Sequence, residues 1–241
     1  MKRRNFAAAQ IAAVTILLCS SMVAACKPSE QQVAQDVERK RIECLDKVCE
    51  GDVKPSLDGS KESAIKLNGR WYIGPKEYFN GYDGRTGFEW WEHKPISASM
   101  TRPQALQALV VDGKGYDVAI EIFLGTAKEP SPSMYRQLQE ARRTASVLET
   151  KTLRPGLEMW RTQEKDRLPE TWYVATNLRE PGGDAPTLAC RGSDPTQYRC
   201  TTGFIWRPGV GANLRFRATH GTDWPEIYLE TDRVLNLLRK A

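Results

Sequence analysis

Apolar and polar residues alternate most regularly over residues 116–124. The apolar set is Tyr116, Val118, Ile120, Ile122 and Leu124, and the positions between them hold Asp117, Ala119, Glu121 and Phe123. Alternation with a period of two is typical of a β-strand with one buried face. Just upstream, the apolar residues 109–111 lead into Asp112 and Gly113, a pair that suits a tight turn. The pattern therefore predicts a β-hairpin over residues 109–124.

A second hairpin is predicted from residues 156–163 and 171–178. Leu157 and Met159 lie two positions apart in the first segment, and Trp172 and Val174 do so in the second. Residues spaced by two share one face of a strand. The polar residues between the two segments would form the connection, so this region is predicted to be antiparallel sheet.

Two other segments show helical spacing. Residues 133–149 place apolar side chains on one helical face, at Met134, Leu138, Ala141, Ala145 and Leu148. Residues 224–240 follow Asp223, which has capping-box spacing to Glu226, and Pro225 falls in the first turn. We expect both helices to pack on one face of an antiparallel sheet, which gives an α+β fold.

A short pattern that occurs twice raises the alternative of a sheet with two related halves. Trp71-Tyr72-Ile73 precedes Thr86-Gly87-Phe88-Glu89-Trp90, and Trp172-Tyr173-Val174 precedes Thr202-Gly203-Phe204-Ile205-Trp206. Phe and Trp two residues apart point to the same face of a strand, so each pair is predicted to fill the core. The alternative is an aromatic cradle for a ligand.

The N-terminus has the parts of a bacterial lipoprotein signal. Lys2, Arg3 and Arg4 precede an apolar stretch centred on residues 11–18, and Val23-Ala24-Ala25 supplies small residues before a cleavage site. Cys26 follows directly and would carry the lipid as palmitate. We therefore expect residues 1–25 to be a signal peptide and Cys26 to be the lipid attachment site. An ordinary signal-peptidase site with an incidental Cys26, or an uncleaved membrane helix, is the alternative.

Cysteine parity favours lipidation. The chain has six cysteines, of which cleavage discards Cys19 and lipidation uses Cys26. The remaining even set suits two disulfides in an oxidising compartment and consists of Cys44, Cys49, Cys190 and Cys200. Four cysteines allow three pairings, and the two local pairs are preferred. A four-cysteine metal site would have poor spacing and would lie in the wrong compartment.

Residues 26–62 are interpreted as a lipid-anchored polar tether. They contain no aromatic residue, a helix predicted from Ser29 to about Lys47, and a linker over residues 52–62. The globular α+β domain is then predicted to span residues 63–241. Lys27 follows the lipidated position, where an aspartate would indicate inner-membrane retention in enteric bacteria. An outer-membrane location facing the periplasm is therefore favoured.

Composition disfavours nucleic-acid binding and several enzyme classes. Cleavage removes three positive charges and no acidic residue, so the formal net charge falls from +5 to +2. No basic patch for nucleic acid is then evident. The two histidines, His93 and His220, do not form a His-Glu-x-x-His motif, and no Gly-x-Ser-x-Gly motif occurs. The sequence predicts no catalytic residue, no cofactor and no metal site.

A set of motifs follows a fixed order within residues 63–241. The motifs are Leu-Asn-Gly-Arg-Trp-Tyr-Ile-Gly-Pro-Lys-Glu-Tyr at 67–78, the alternating segment 116–124, Thr-Leu-Arg-Pro-Gly-Leu at 152–157, Trp-Tyr-Val-Ala-Thr at 172–176 and Thr-Asp-Trp-Pro-Glu-Ile-Tyr at 222–228. Together they resemble a family of proteobacterial lipoproteins, the immunity lipoproteins found beside lipase effectors in type VI secretion loci.

This resemblance implies a lipid-anchored periplasmic protein that binds and inhibits a phospholipase or lipase toxin and has no enzymatic activity. Tight protein inhibitors usually present rigid aromatic or arginine anchors. The candidate partner contacts are Tyr78, Phe79, Tyr82, Arg207, Arg215 and Arg217. Two other function classes stay open. One is an accessory structural lipoprotein of an envelope or secretion assembly, and the other is a periplasmic hydrolase that uses His93 or His220 with a carboxylate.

Overall fold

The computed structural model describes residues 29–79, 84–91, 94–95, 119–127, 133–191 and 199–241. The chain divides into two units, residues Met1–Ile42 and Glu43–Ala241. The described part of the first unit is helix α1 (Glu30–Glu43), in which no residue is buried. The helix predicted to reach about Lys47 therefore ends four residues earlier, just before Cys44.

Local polar contacts hold α1. The backbone N–H of Gln32 donates to Ser29 Oγ at 3.2 Å, and the Gln32 side chain accepts from the Ser29 N–H at 2.9 Å. This reciprocal arrangement is a capping box. Farther along, Arg41 pairs with Glu38 three residues earlier. Because such contacts contribute only tenths of a kcal/mol each, α1 is a weakly stabilised helix.

The second unit is rich in antiparallel sheet. Its elements are β1 (Glu62–Leu67), β2 (Arg70–Pro75), β3 (Arg85–Trp91), β4 (Lys94–Pro95), β5 (Ala119–Thr126), α2 (Met134–Thr144), β6 (Ser146–Arg154), β7 (Leu157–Gln163), β8 (Glu170–Ala175), β9 (Thr187–Arg191), β10 (Arg199–Arg207), β11 (Val210–Arg217), a 3-10 helix (Ala218–Asp223), α3 (Trp224–Asn236) and β12 (Arg239–Lys240). One sheet has the order β1-β2-β12 and the other β4-β3-β5-β11-β10-β9-β8-β7-β6. The predicted α+β class is confirmed.

The predicted strands agree with the described part of the sheet. β7 and β8 form the second predicted hairpin, with Trp160 opposite Trp172 in antiparallel register. β5 contains the second half of the alternating segment, and its residues Ile120, Ile122 and Leu124 are buried. Residues 109–118, which include the rest of the first predicted hairpin, lie outside the described residues.

The two helices of this unit pack on opposite faces of the large sheet, so the expectation of one shared face was wrong. Leu138 of α2 is buried in one cluster with Trp172 and Val174 of β8. Ile227 of α3 belongs instead to the main core, which contains Leu188 of β9. Since Leu188 lies opposite Tyr173, its side chain and that of Trp172 point to opposite faces. The region around β8 and β9 is apolar on both sides and accepts a helix on each.

Both predicted helices end earlier than expected. α2 stops at Thr144, and residues Ser146–Arg154 form β6, which pairs with β7. The β-branched residues Val147, Thr150 and Thr152 favour an extended strand there, and the partner strand satisfies its backbone. α3 stops at Asn236, and residues 239–240 pair with β2.

Asp223 does not cap α3 with its side chain, although it occupies the N-cap position. Its carboxylate accepts a hydrogen bond of 2.9 Å from the buried indole of Trp90. A charged acceptor inside the core needs such a donor, and the indole N–H offers one. The predicted capping box is therefore replaced by a contact between residues 133 positions apart in the chain.

The repeated Thr-Gly-Phe-x-Trp pattern occupies equivalent places on β3 and β10. Thr86 lies opposite Ile122 of β5, Ile122 opposite Leu214 of β11, and Leu214 opposite Thr202. The four strands thus have a local two-fold relation about the β5–β11 pair. Both aromatic pairs are buried in the core, which supports the core interpretation over a ligand cradle: Phe88, Trp90, Phe204 and Trp206. The repeat does not extend to the upstream aromatic strands, because β2 and β8 belong to different sheets.

Within the second unit, two carboxylates connect the segment around the Cys44–Cys49 disulfide to the strands. Asp46 accepts hydrogen bonds from the N–H groups of Asn68 and Thr126, at 3.0 and 2.7 Å. Asp52 accepts from Lys66 at 2.7 Å, and this bond and a hydrogen bond from the Cys49 N–H hold the pKa of Asp52 below its ordinary range. Residues 43–62, expected to belong to the tether, therefore lie within the compact unit.

Candidate functional site

Among the described residues, the large sheet has an area beside α2 that no other element covers. α2 covers β8 and β9, while the neighbouring strands β10, β11 and β5 continue beyond it on the same face. Together with the start of α2 and the loop at residues 180–184, these strands line a groove of about 1190 Å³. We call this surface the sheet groove. A groove of this size can accept side chains of a partner or a short segment of its chain.

Glycines make the floor of the sheet groove low. Gly125 of β5 lies directly opposite Gly211 of β11, and Gly203 of β10 lies opposite Asn213. A Cβ added at Gly203 would come within 2.6 Å of Asn213 Oδ1. The Asn213 side chain therefore occupies the space over Gly203, whereas at Gly125 and Gly211 no side chain rises from the floor and a partner can approach the backbone.

An aromatic ring between two arginines marks one end of the sheet groove. The guanidinium carbons of Arg85 and Arg215 lie 5.7 and 5.9 Å from the centroid of Phe123. These distances are within the range of cation–π attraction. Arg215 is exposed and lies opposite Glu121 in the β5–β11 register. This end presents a flat ring bordered by positive charge.

A buried carboxyl group marks the other end. Glu180 is only 6% exposed, and its Oε1 has no hydrogen-bond partner within the described part of the chain. Burial, and after it the charge of Asp184, raise the pKa of Glu180 to about 8. The Asp184 carboxylate itself accepts hydrogen bonds from Ser133 Oγ at 2.6 Å and Arg136 Nε at 3.1 Å. The two ends of the sheet groove therefore differ in charge.

One of the predicted partner contacts lies in the sheet groove. Arg215 of β11 lines it. Arg217 follows on the same strand, opposite Arg199 in the register, and only its backbone is described.

Contacts with core residues hold the Arg207 side chain in place. Its guanidinium lies 4.0 Å from the Trp206 ring centroid and 5.4 Å from that of Tyr72, and it donates a hydrogen bond to the Leu238 carbonyl at 3.1 Å. These contacts connect β10 with the small sheet and the end of α3. They give Arg207 a structural role.

Tyr78 and Phe79 do not line the sheet groove. Tyr78 accepts a hydrogen bond of 3.0 Å from Arg233 of α3 through its hydroxyl. Phe79 is completely buried and packs against Gly74, where a Cβ would lie 2.6 Å from the ring. It has no surface to offer a partner, so that candidate was wrong; its apolar ring is part of the core. Tyr82 lies outside the described residues.

Both local disulfides are present. Cys44 is bonded to Cys49, and Cys190 to Cys200. The second disulfide joins directly opposed residues of β9 and β10, next to the strands of the sheet groove. Cys26 lies outside the described residues.

Sequence reasoning missed the two residues that define the ends of the sheet groove. Phe123 occupies a polar-face position in the alternating segment, and an aromatic residue at such a position is a usable signal for a contact surface. Glu180 lies in the loop sequence Arg-Glu-Pro-Gly-Gly-Asp, which has no feature that predicts a buried carboxyl group.

Other chemistry is limited in the described part of the chain. No group of three or more His, Cys, Asp or Glu residues there is arranged to hold a metal ion. His93 lies outside the described residues, and His220 belongs to the 3-10 helix. Among the described residues, no helix combines the length and apolar character needed to cross a membrane.

Comparisons with known proteins give one match of structure. No protein-family model matches the chain, and no curated protein matches it. A solved structure of an immunity protein of the Stenotrophomonas maltophilia type IV secretion system is similar to 79% of this chain and to 100% of its own length. The sequence identity is 14% and the TM-score is 0.47.

Proposed function

We propose that this chain is a lipid-anchored periplasmic immunity protein that binds and inhibits a lipase toxin of a type VI secretion system. It acts by binding and not by catalysis, and its partner is the toxin. The sheet groove carries this proposal, because it combines a glycine floor with an aromatic ring flanked by Arg85 and Arg215. Arginine and aromatic residues in such positions are the usual anchors of protein interfaces.

Features outside the sheet groove support the same function. The N-terminal signal with Cys26 favours export and attachment to a membrane, with the outer membrane favoured by Lys27. Two disulfides suit an oxidising compartment such as the periplasm. A toxin that attacks membrane lipid acts at the membrane, so an inhibitor anchored there has a high effective concentration near it.

A protection assay tests the function. A candidate lipase toxin, sought among the genes next to this one, would be directed to the periplasm of sensitive cells, with or without this protein. We expect the protein to preserve survival, and we expect Cys26→Ser to reduce protection because the tether is lost. Equal killing with and without the wild-type protein would contradict the proposal. Full protection by Cys26→Ser would show that anchoring is dispensable.

The contact surface is tested by Arg215→Ala. Removal of this exposed guanidinium from the edge of Phe123 should weaken binding to the purified toxin at least about ten-fold, or about 1.4 kcal/mol. Arg143→Ala is the matched control, since Arg143 is an exposed arginine of α2 that does not line the sheet groove. Surface plasmon resonance gives both affinities. Equal loss in the two variants, or none in either, would place the interface elsewhere.

A further inference from the structure

Glu180 is a polar group that the fold leaves unsatisfied. It lines the sheet groove and is more than nine-tenths buried, and its Oε1 has no hydrogen-bond partner among the described residues. A buried acceptor without a donor destabilises the folded state. No contact among the described residues offsets this effect, so a ligand that supplies the missing donor is a physical reason to keep the carboxyl group.

The described charged groups around Glu180 are already engaged with other partners. Asp184, in the same loop, already pairs with Arg136 of α2. Arg179 directs its guanidinium to the carbonyl oxygens of Thr176 and Leu178. On the side of α3, the Tyr228 hydroxyl donates to the Arg179 carbonyl. Within the described residues, an ionised Glu180 would therefore have a neighbouring negative charge and no cation paired with it.

We propose that Glu180 binds a cationic side chain, an arginine or lysine of the toxin that enters the sheet groove. This inference rests on the proposed function and specifies the chemistry of the partner. An incoming guanidinium or ammonium group would supply donors to the carboxyl group and favour its ionised form. The resulting charge-assisted hydrogen bonds are stronger than neutral ones, and their partial burial limits screening by salt.

A small probe tests the site without the toxin. N-acetyl-arginine amide carries one guanidinium, whereas N-acetyl-citrulline amide has nearly the same shape and no charge. In NMR titrations of the purified protein, we expect the arginine probe to bind at least ten-fold more tightly than the citrulline probe. Glu180→Gln should abolish this preference, and the exposed-site control Glu164→Gln should retain it. Equal binding of both probes to the wild-type protein, or a preference that survives Glu180→Gln, would overturn the inference.

The protection assay separates this site from the proposed function. Survival with the wild-type protein and killing with Glu180→Gln would support both, provided that circular dichroism shows the variant to be folded. Killing despite the wild-type protein, together with an arginine preference, would remove the proposed function and leave the cation site. Survival with both proteins, together with no arginine preference, would remove the cation site and leave the function.

Discussion

Replacement of Trp224 by alanine should lower the free energy of unfolding by about 3–5 kcal/mol. The indole is completely buried, and its N–H donates to the Pro186 carbonyl at 2.9 Å. Its ring stacks on Phe216 at 6.3 Å and meets Tyr228 edge-on at 5.7 Å. Alanine would leave a cavity between α3 and the sheet. It would also remove one of the two hydrogen bonds that the Pro186 carbonyl accepts, the other coming from the Ala175 N–H at 2.9 Å.

Urea unfolding followed by circular dichroism measures this loss. Leu229→Ala is the matched control on the same helix, because Leu229 is 53% exposed and its truncation should change the unfolding free energy by no more than about 0.5 kcal/mol. A Trp224→Ala variant with the midpoint of the wild-type protein would show that α3 does not depend on this contact. Similar losses for both variants would point to a general weakness of the helix.

The pattern of apolar and polar residues predicted helices and strands well where residues close together in the chain determine them. The hairpin of β7 and β8 follows from alternation and a polar connection, and the start of α3 follows from Pro225 in its first turn. These signals act within a few residues of each other. The strand β6 was missed because Ala145 and Leu148 continue the helical spacing of α2, while pairing with β7 decides the outcome.

Features that depend on distant partners could not be predicted in this way. The pattern of α2 shows which of its faces is apolar, but not which side of the sheet it covers. Asp46 falls near the end of the helix predicted to reach Lys47, and that pattern gives no sign of its partner Thr126, which is 80 residues away. Phe79 was chosen as a candidate contact because aromatic residues often anchor tight inhibitors, whereas its side chain is completely buried in the core. Tertiary packing outweighs local character at each of these positions.

The candidate site shows the same division. Arg215 could be proposed from its residue type, since arginines are frequent in interfaces. Phe123 was visible as an aromatic residue on the polar side of an alternating strand. The burial of Glu180 depends on how the loop at residues 180–184 packs beside α2 and α3, so the sequence had no local signal for it.

Glu180 should also make the stability of the protein depend on pH. Its pKa is raised from an ordinary value of 4.5 to about 8 in the folded protein, mainly by burial. The folded state therefore holds this proton more tightly than the unfolded state does. The contribution of Glu180 to the free energy of unfolding is fully present below about pH 4.5. It falls as the pH rises from about 4.5 to about 8, and it does not change further above about pH 8.

Glu180→Gln should remove this dependence, because an amide does not titrate. At 1.36 kcal/mol per pH unit, the variant should gain on the order of 3 kcal/mol relative to wild type between pH 4.5 and pH 7. Urea unfolding at several pH values from 5 to 8 measures the difference in unfolding free energy between the two proteins. The other titrating groups contribute equally to both proteins, so their contributions cancel in this difference. Glu164→Gln should follow the wild-type curve, and parallel curves for Glu180→Gln and wild type would contradict the prediction. Two results together would show that the buried carboxyl group is retained for binding at a cost to the fold. Glu180→Gln would gain stability relative to wild type as the pH rises, and it would lose the preference for the arginine probe.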